Sequence, residues 1–272
     1  MREVLFTVGP FTVYGYGFMI AVGLIAAFAL GMHREKKLFN GADNVFDIGI
    51  TVVLGGALGS KIMYWIVEID SVIEDPTFIL RTLTSGFVVY GGLIGGILAG
   101  VIFAKVRKVD FMRYFDLIMP SVALAQGFGR IGCFLAGCCY GKETSSVFSV
   151  TFTDSSFAPN GVALIPTQLI MSAGDFLLFA VLMLISRKNK IPGRVGAWYL
   201  MLYSVGRFLV EFLRDDPRGS VGPLSTSQFI AIFMFIAGAV IYYYGGRKAE
   251  KEACQAAGPA EDGPDGDAGT QA

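Results

Sequence analysis

Residues 7–32 read TVGPFTVYGYGFMIAVGLIAAFALGM, without a single Asp, Glu, Lys or Arg. About 20 consecutive apolar residues are enough to cross a hydrocarbon core. Such a run is too long for the apolar stretch of a removable signal, and no small-x-small cleavage pattern follows a basic start, so it reads as the first of several spans. Working outward with the same window predicts seven, near Thr12–Met32, Val45–Val67, Gly86–Ala104, Phe115–Phe134, Gln168–Ile185, Val195–Leu213 and Ser227–Tyr244. Composition agrees: 54% of the 272 residues are hydrophobic and 16% charged, with glycine at 35 positions, a profile of membrane helices rather than a water-soluble core.

The hydrophilic segments between the spans alternate in charge. One set, comprising residues 33–44, 105–113, 186–194 and the stretch after 246, carries fourteen Lys and Arg, among them Arg34, Lys105, Lys188 and Arg247. The other set holds five: Arg2, Arg81, Lys142, Arg214 and Arg218. Basic loops stay in the cytoplasm, so the expected topology has the N-terminus outside and the C-terminus inside. Residues 1–246 form the expected transmembrane domain. Residues 136–165 supply a small extracytoplasmic cap, in which Val147–Thr153 alternates like a strand. Residues 247–272, rich in Ala, Gly, Pro, Asp and Glu, read as a disordered cytoplasmic tail. The fold class is therefore an all-α polytopic membrane protein with seven transmembrane helices. No nucleic acid is expected as a partner.

Lys61, Arg130, Arg207, Glu211, Asp116 and Asp175 fall in or beside the apolar windows, where a charge costs a few kcal/mol unless it is paired or hydrated. Each admits a structural reading as an internal ion pair or a snorkelling side chain, Lys61 most of all. The densest pattern is Gly206-Arg207-Phe208-Leu209-Val210-Glu211-Phe212-Leu213-Arg214, whose charges recur at i, i+4 and i+7 and so share one helical face. Two guanidinium groups around one carboxylate leave a surplus positive charge, suited to binding a phosphate. By the expected topology Arg130 and this face lie near the outer ends of two spans, and Tyr14 and Tyr90 near the outer ends of two more. These polar groups reach headgroup depth. That favours a phospholipid site, with a hydrated cavity of ion pairs as the alternative.

Gly55-Gly56-x-x-Gly59, Gly91-Gly92-x-x-Gly95-Gly96 and Gly127-x-Gly129-x-x-Gly132 would permit close helix approach. The last has the lettering of a dinucleotide fingerprint, but no strand precedes it and that reading is rejected. Cys133, Cys138 and Cys139 cluster at the end of one span. Adjacent cysteines strain a disulfide, and the lone histidine, His33, belongs to the opposite side, so small-residue packing is expected there. No metal and no cofactor are expected.

At these residues the chain resembles the prolipoprotein diacylglyceryl transferase family. The resemblance rests on Tyr14-Gly15, Gly56-Ala57-Leu58-Gly59-Ser60-Lys61, Gly91-Gly92-Leu93-Ile94-Gly95, Gly129-Arg130-Ile131-Gly132, Pro166-Thr167-Gln168 and the Arg207–Arg214 stretch, in matching order from Phe11 to Tyr244. It implies an enzyme of the bacterial cytoplasmic (inner) membrane with phosphatidylglycerol and preprolipoprotein signal peptides as partners, besides membrane lipids. The implied reaction moves a diacylglyceryl group onto the lipobox cysteine thiol, forms a thioether and releases glycerol phosphate. The implied phosphate-binding residues are Arg130, Arg207 and Arg214; Tyr14, Tyr90 and Glu211 are the candidates for orientation or proton transfer.

The family pattern has Asn, Asn and Glu where this chain has Cys133, Ala136 and Cys138, and His where it has Tyr90. These departures suggest a divergent member. Glu211 or Tyr90 could take over proton transfer, another acceptor could be used, or the chain could be a non-catalytic phospholipid-binding or transport protein.

Overall fold

The computed structural model describes residues 4–9, 11–39, 44–83, 85–217 and 219–256. The chain opens with an antiparallel hairpin, β1 (Val4–Val8) and β2 (Phe11–Tyr14), and then becomes almost wholly helical: α1 (Gly15–Leu38), α2 (Asn44–Val67), the short α3 (Ile69–Glu74) and α4 (Phe78–Arg81), α5 (Val89–Arg107) and α6 (Phe111–Ala136). Two-residue strands β3 (Val150–Thr151) and β4 (Ala163–Leu164) pair next, followed by α7 (Thr167–Lys188), α8 (Arg194–Val210), a 3-10 turn at Glu211–Leu213, the pair β5 (Ser220–Val221) and β6 (Leu224–Ser225), and α9 (Thr226–Ala256).

Six of these helices, α1, α2, α5, α6, α7 and α9, are long and apolar enough to cross a membrane. The protein is an all-α polytopic membrane protein. α8 stops at 17 residues before the chain tightens into the 3-10 turn. Bulky apolar side chains stay on the outside of the bundle, as on Leu54 and Leu58 of α2, Ile97 and Ile102 of α5 and Phe233 and Ile236 of α9. In water that surface would be costly; against acyl chains it is the stable arrangement, and the backbone polar groups are satisfied within each helix.

Three departures from the expected boundaries have a local cause in the sequence. The first span begins at Gly15 and not Thr12, because Phe11–Tyr14 is used as a strand. The third runs Val89–Arg107 rather than Gly86–Ala104, since Gly86 takes a left-handed φ of 72° that a helix cannot absorb. α9 continues to Ala256, past the point where the sequence reads as unstructured. Its extension, Arg-Lys-Ala-Glu-Lys-Glu-Ala-Cys-Gln-Ala, consists largely of strong helix formers. The rest of the expected tail lies outside the described residues.

The α1–α6 pair runs antiparallel: Gly15 meets Leu135 at one end, while the guanidinium of Arg34 donates to the Leu117 carbonyl near the other. α2 and α5 approach closely through glycine: a Cβ on Gly59 would sit 2.8 Å from the Gly95 Cα. α6, α7 and α8 enclose a core of Ala123, Leu178, Leu182, Val195 and Tyr199. A second small core, Phe152, Ala158 and Leu164, holds the lobe between α6 and α7 together, and only Val150–Thr151 of its Val147–Thr153 run is strand.

Several charges inside the bundle are structural. Asp116 accepts from the backbone N–H groups of Gly193 and Gly196, both at 2.8 Å, and so caps the start of α8. Glu35 accepts from the N–H groups of Asn44 and Val45 at 2.9 and 3.0 Å and from the Tyr114 hydroxyl at 3.0 Å. Lys61 is buried and donates to the carbonyls of Thr82, Ser85 and Gly86, with its ammonium 4.6 Å from the Phe87 ring centroid. It ties the α4–α5 connection onto α2.

Candidate active site

The C-terminal end of α6 organises the polar cluster. Arg130 stands two turns from that end, Cys133 follows one turn later, and Gly137 closes the helix with a left-handed φ of 75°, its N–H turned back to the Cys133 and Phe134 carbonyls. A Cβ there would run into Ser155, so glycine is needed both for conformation and for space. The reversal carries Cys138 and Cys139 back over Cys133, and the three Sγ atoms lie within 4.8 Å of one another. Cys139 itself has φ 60°, which is unusual outside glycine.

Two buried residues at the start of α7 fix this turn. Thr167 Oγ1 donates to the Cys139 carbonyl at 2.7 Å and Gln168 Nε2 to the Cys138 carbonyl at 2.8 Å. Beyond it, Gly141 pairs with Arg214, the Lys142 N–H donates to the Leu213 carbonyl at 2.9 Å, and the Asp215 N–H to the Tyr140 carbonyl at 3.3 Å. The lobe is thereby stitched to the segment that follows α8.

That segment is not the continuous helical face expected from its spacing. The helix tightens at Glu211 and Arg214 takes an extended conformation, ψ 150°. Arg207 and Glu211 still pair, Nη1 to Oε2 at 2.5 Å, and Arg207 Nη2 reaches Ser227 Oγ at 2.6 Å. Arg214 Nη1 approaches the same Glu211 oxygen only to 4.0 Å; its main partner is Asp216, gripped through Nε and Nη2 at 2.8 and 2.7 Å. The surplus charge inferred from two arginines around one carboxylate is therefore offset by a second carboxylate.

Arg130 supplies the uncommitted positive charge. Among the described residues it makes no ion pair and no hydrogen bond, while its electrostatic neighbours are Tyr203, Cys133, Cys139 and Asp175. Tyr203, Asp175 and Arg207 also line a groove of about 250 Å³ between α7 and α8, otherwise apolar, with Met171, Leu178 and Leu202 among its walls. The groove thus has an apolar body with charged and hydroxyl groups in its lining.

In the turn beyond α6, hydrogen bonds with the Cys133 and Cys138 thiols hold the Cys139 thiol well below the usual thiol range, with Arg214 and Arg130 adding to the effect against burial. Cys138 is pushed upward by its hydrogen bonds to Cys133 and Cys139 and by burial.

The expected site residues are thus partly united. Arg130, Arg207, Glu211 and Arg214 converge. Tyr14, the residue before α1, is exposed, as is Tyr90 in the first turn of α5; among the described residues neither side chain makes a hydrogen bond. Tyr203, Tyr16 and Asp216 were missed. Tyr203 lies one turn before Arg207 on α8, a signal present in the sequence. Tyr16, packed over Gly132 and electrostatically close to Cys133, Cys138 and Arg130, has only its neighbour Tyr14 to suggest it.

Comparison with known proteins decides the lineage. The family model for prolipoprotein diacylglyceryl transferase matches residues 3–244. The chain belongs to that family. A phosphatidylglycerol-prolipoprotein diacylglyceryl transferase of Clostridium tetani is 49% identical over 242 residues, covering 89% of this chain and 97% of the relative. A second from Clostridium perfringens is 47% identical over 252 residues, covering 93% and 98%, and one from Clostridioides difficile is 32% identical over 248 residues, covering 91% and 97%. Matches of this strength do not set the chain apart, so the divergent membership expected from Tyr90, Cys133 and Cys138 is not supported. The prolipoprotein diacylglyceryl transferase family is multi-pass in this chain, and the cluster at the end of α6 is its candidate active site.

Proposed function

We propose that this chain transfers the diacylglyceryl group of phosphatidylglycerol to the lipobox cysteine thiol of a preprolipoprotein, forming a thioether and releasing glycerol phosphate, at the cluster around Arg130. Family membership supports the reaction. The observation that supports its location is the Arg130 guanidinium, which among the described residues makes no ion pair and neighbours Tyr203 and Asp175 in the lining of a groove suited to acyl chains. In this reading the diacylglyceryl chains lie between α7 and α8, and the phosphate meets Arg130 and Arg207.

Arg130 and Arg207 then offset the charge that builds on the phosphate oxygen as the glyceryl carbon–oxygen bond breaks. Glu211 holds Arg207 in place, and with Oε2 committed to that arginine it suits positioning better than proton abstraction. Arg214, fastened to Asp216, anchors the lobe and contributes long-range positive potential. Tyr203 orients the headgroup from one turn below Arg207. Tyr14 and Tyr90, exposed at the same end of the bundle, face the route by which the peptide arrives.

The same reading takes α8 with its 3-10 turn as a seventh crossing. It places the N-terminus outside, the C-terminus in the cytoplasm, and the lobe of residues 136–165 as a cap on the outer face. The distribution of Lys and Arg supports this orientation, as it places the cluster where headgroups and exported signal peptides meet.

The test supplies phosphatidylglycerol and a lipobox peptide to the purified chain and follows the thioether-linked product by mass spectrometry. The expected result is product with the cysteine peptide and none with its serine counterpart. Lipid binding without peptide modification would overturn the proposal.

A further inference from the structure

We infer that Cys133, Cys138 and Cys139 form a zinc site whose open fourth position takes the acceptor thiol. The metal site stands on the geometry alone, whereas the role of its open position rests on the transferase reading above.

Three sulfurs within 4.8 Å of one another are close to what the metal requires. Zinc–thiolate bonds of about 2.3 Å in a tetrahedron place sulfurs roughly 3.8 Å apart, so side-chain adjustments of about 1 Å close the set. The three cysteines occupy a turn held from both sides, by the Gly137 helix end and by the Thr167 and Gln168 hydrogen bonds to the carbonyls of Cys139 and Cys138. Cys139 adopts a left-handed backbone that L residues disfavour, and this conformation keeps it beside the other two. Packing of small residues would be served equally well by Ala or Ser and asks for no convergence of sulfur atoms.

Charge complementarity supports the same assignment. Zinc with three thiolates carries one negative charge, and a fourth thiolate makes two. Arg130 interacts electrostatically with Cys133 and Cys139, and Arg214 with Cys139, so the surroundings are cationic. Among the described residues three protein ligands converge, the number found where zinc keeps a position open for chemistry.

The chemistry also needs such a device. The acceptor is a thiol, its nucleophilic form is the thiolate, and Tyr90 and Glu211 are poorly placed to remove the proton. On entering the open position the acceptor sulfur releases its proton to water. Its lone pair then forms the carbon–sulfur bond to the glyceryl methylene while the carbon–oxygen bond to phosphate breaks. The bonding pair leaves on the phosphate oxygen, and glycerol phosphate departs. The thioether, neutral and a weaker ligand, dissociates from the metal. No oxidant or reductant is consumed.

The experiment measures metal in the full chain purified in detergent and dialysed against zinc-free buffer. Elemental analysis should find about one zinc per chain. Replacing zinc with cobalt should give a sulfur-to-cobalt charge-transfer band that shifts with a lipobox peptide and not with its Cys→Ser counterpart. Cys138→Ser and Cys139→Ser should each weaken metal retention on the order of a hundredfold. Should either variant fold poorly, chelation of the native chain gives the same information. A chain that retains no zinc, or recovery of the cysteines as a disulfide without zinc, would overturn the metal site, and metal-free protein that forms thioether at full rate would overturn the acceptor role; both leave the transferase reading standing. Stoichiometric zinc with no thioether product would instead sink the acceptor role together with that reading.

Discussion

Gly141 pairs antiparallel with Arg214, an isolated bridge that joins the turn after α6 to the turn after α8. Through it, the cysteines and Arg130 on one side and Arg207, Glu211 and Asp216 on the other come to a single end of the bundle. A Cβ on Gly141 would meet the Ile165 carbonyl at 2.6 Å and Thr167 Cγ2 at 2.8 Å. Gly141→Val should therefore push the turn after α6 away from the start of α7 and disturb the bridge to Arg214. We expect a fall in thioether formation of at least about tenfold, with the helical circular dichroism signal intact.

Arg130→Ala should reduce turnover by about 100- to 1,000-fold, the range for removing one donor to a developing anion. Arg130→Lys should rescue little, because an ammonium cannot reproduce the planar fork of a guanidinium. Product formation on the lipobox peptide gives the rate, and retention of labelled phosphatidylglycerol gives binding. An Arg130→Ala chain with wild-type turnover would move the phosphate site elsewhere.

Asp216→Ala removes the carboxylate that grips Arg214, whose side chain is only 7% exposed. A hydrogen bond to a charged group contributes about 1.5–3 kcal/mol, and a loss of that order in thermal stability is expected. Arg207, paired separately with Glu211, should keep its geometry. The lobe should loosen first, visible as faster amide exchange near Lys142 than in α2.

Lys61→Met should behave differently from the arginines. It removes the charged donor shared by the carbonyls of Thr82, Ser85 and Gly86, where a hydrogen bond to a charged group contributes about 1.5–3 kcal/mol. The variant should melt earlier in detergent while the folded fraction retains its turnover. Loss of activity at full stability would place Lys61 in the chemistry instead.

Gly59→Ala and Gly129→Ala make a matched pair. At Gly59 the new methyl would lie 2.8 Å from the Gly95 Cα, so α2 and α5 must separate, at a cost of about 1–3 kcal/mol. At Gly129 nothing lies within 4 Å, and thermal stability should hold or rise slightly. Parallel melting curves decide it.

The sequence by itself determined that the chain is a membrane protein, where most of its helices run to within a few residues, and which charges were out of place among them. Hydropathy and the positions of Lys and Arg are read along the chain, and a bilayer acts on them locally, so Arg130, Arg207 and Glu211 stood out before any fold was known. Family motifs carried the chemistry as far as a substrate. What only the tertiary structure decided is which of those charges remain available and what surrounds them. The pairing of Arg214 with Asp216, across a tightened helix end rather than along a face, depends on backbone angles that the i, i+4, i+7 spacing does not encode. Three sulfurs meet because Gly137 reverses the chain and buried Thr167 and Gln168, from another helix, hold the turn. Such contacts join residues far apart in sequence, and their energies exist only once the helices have packed.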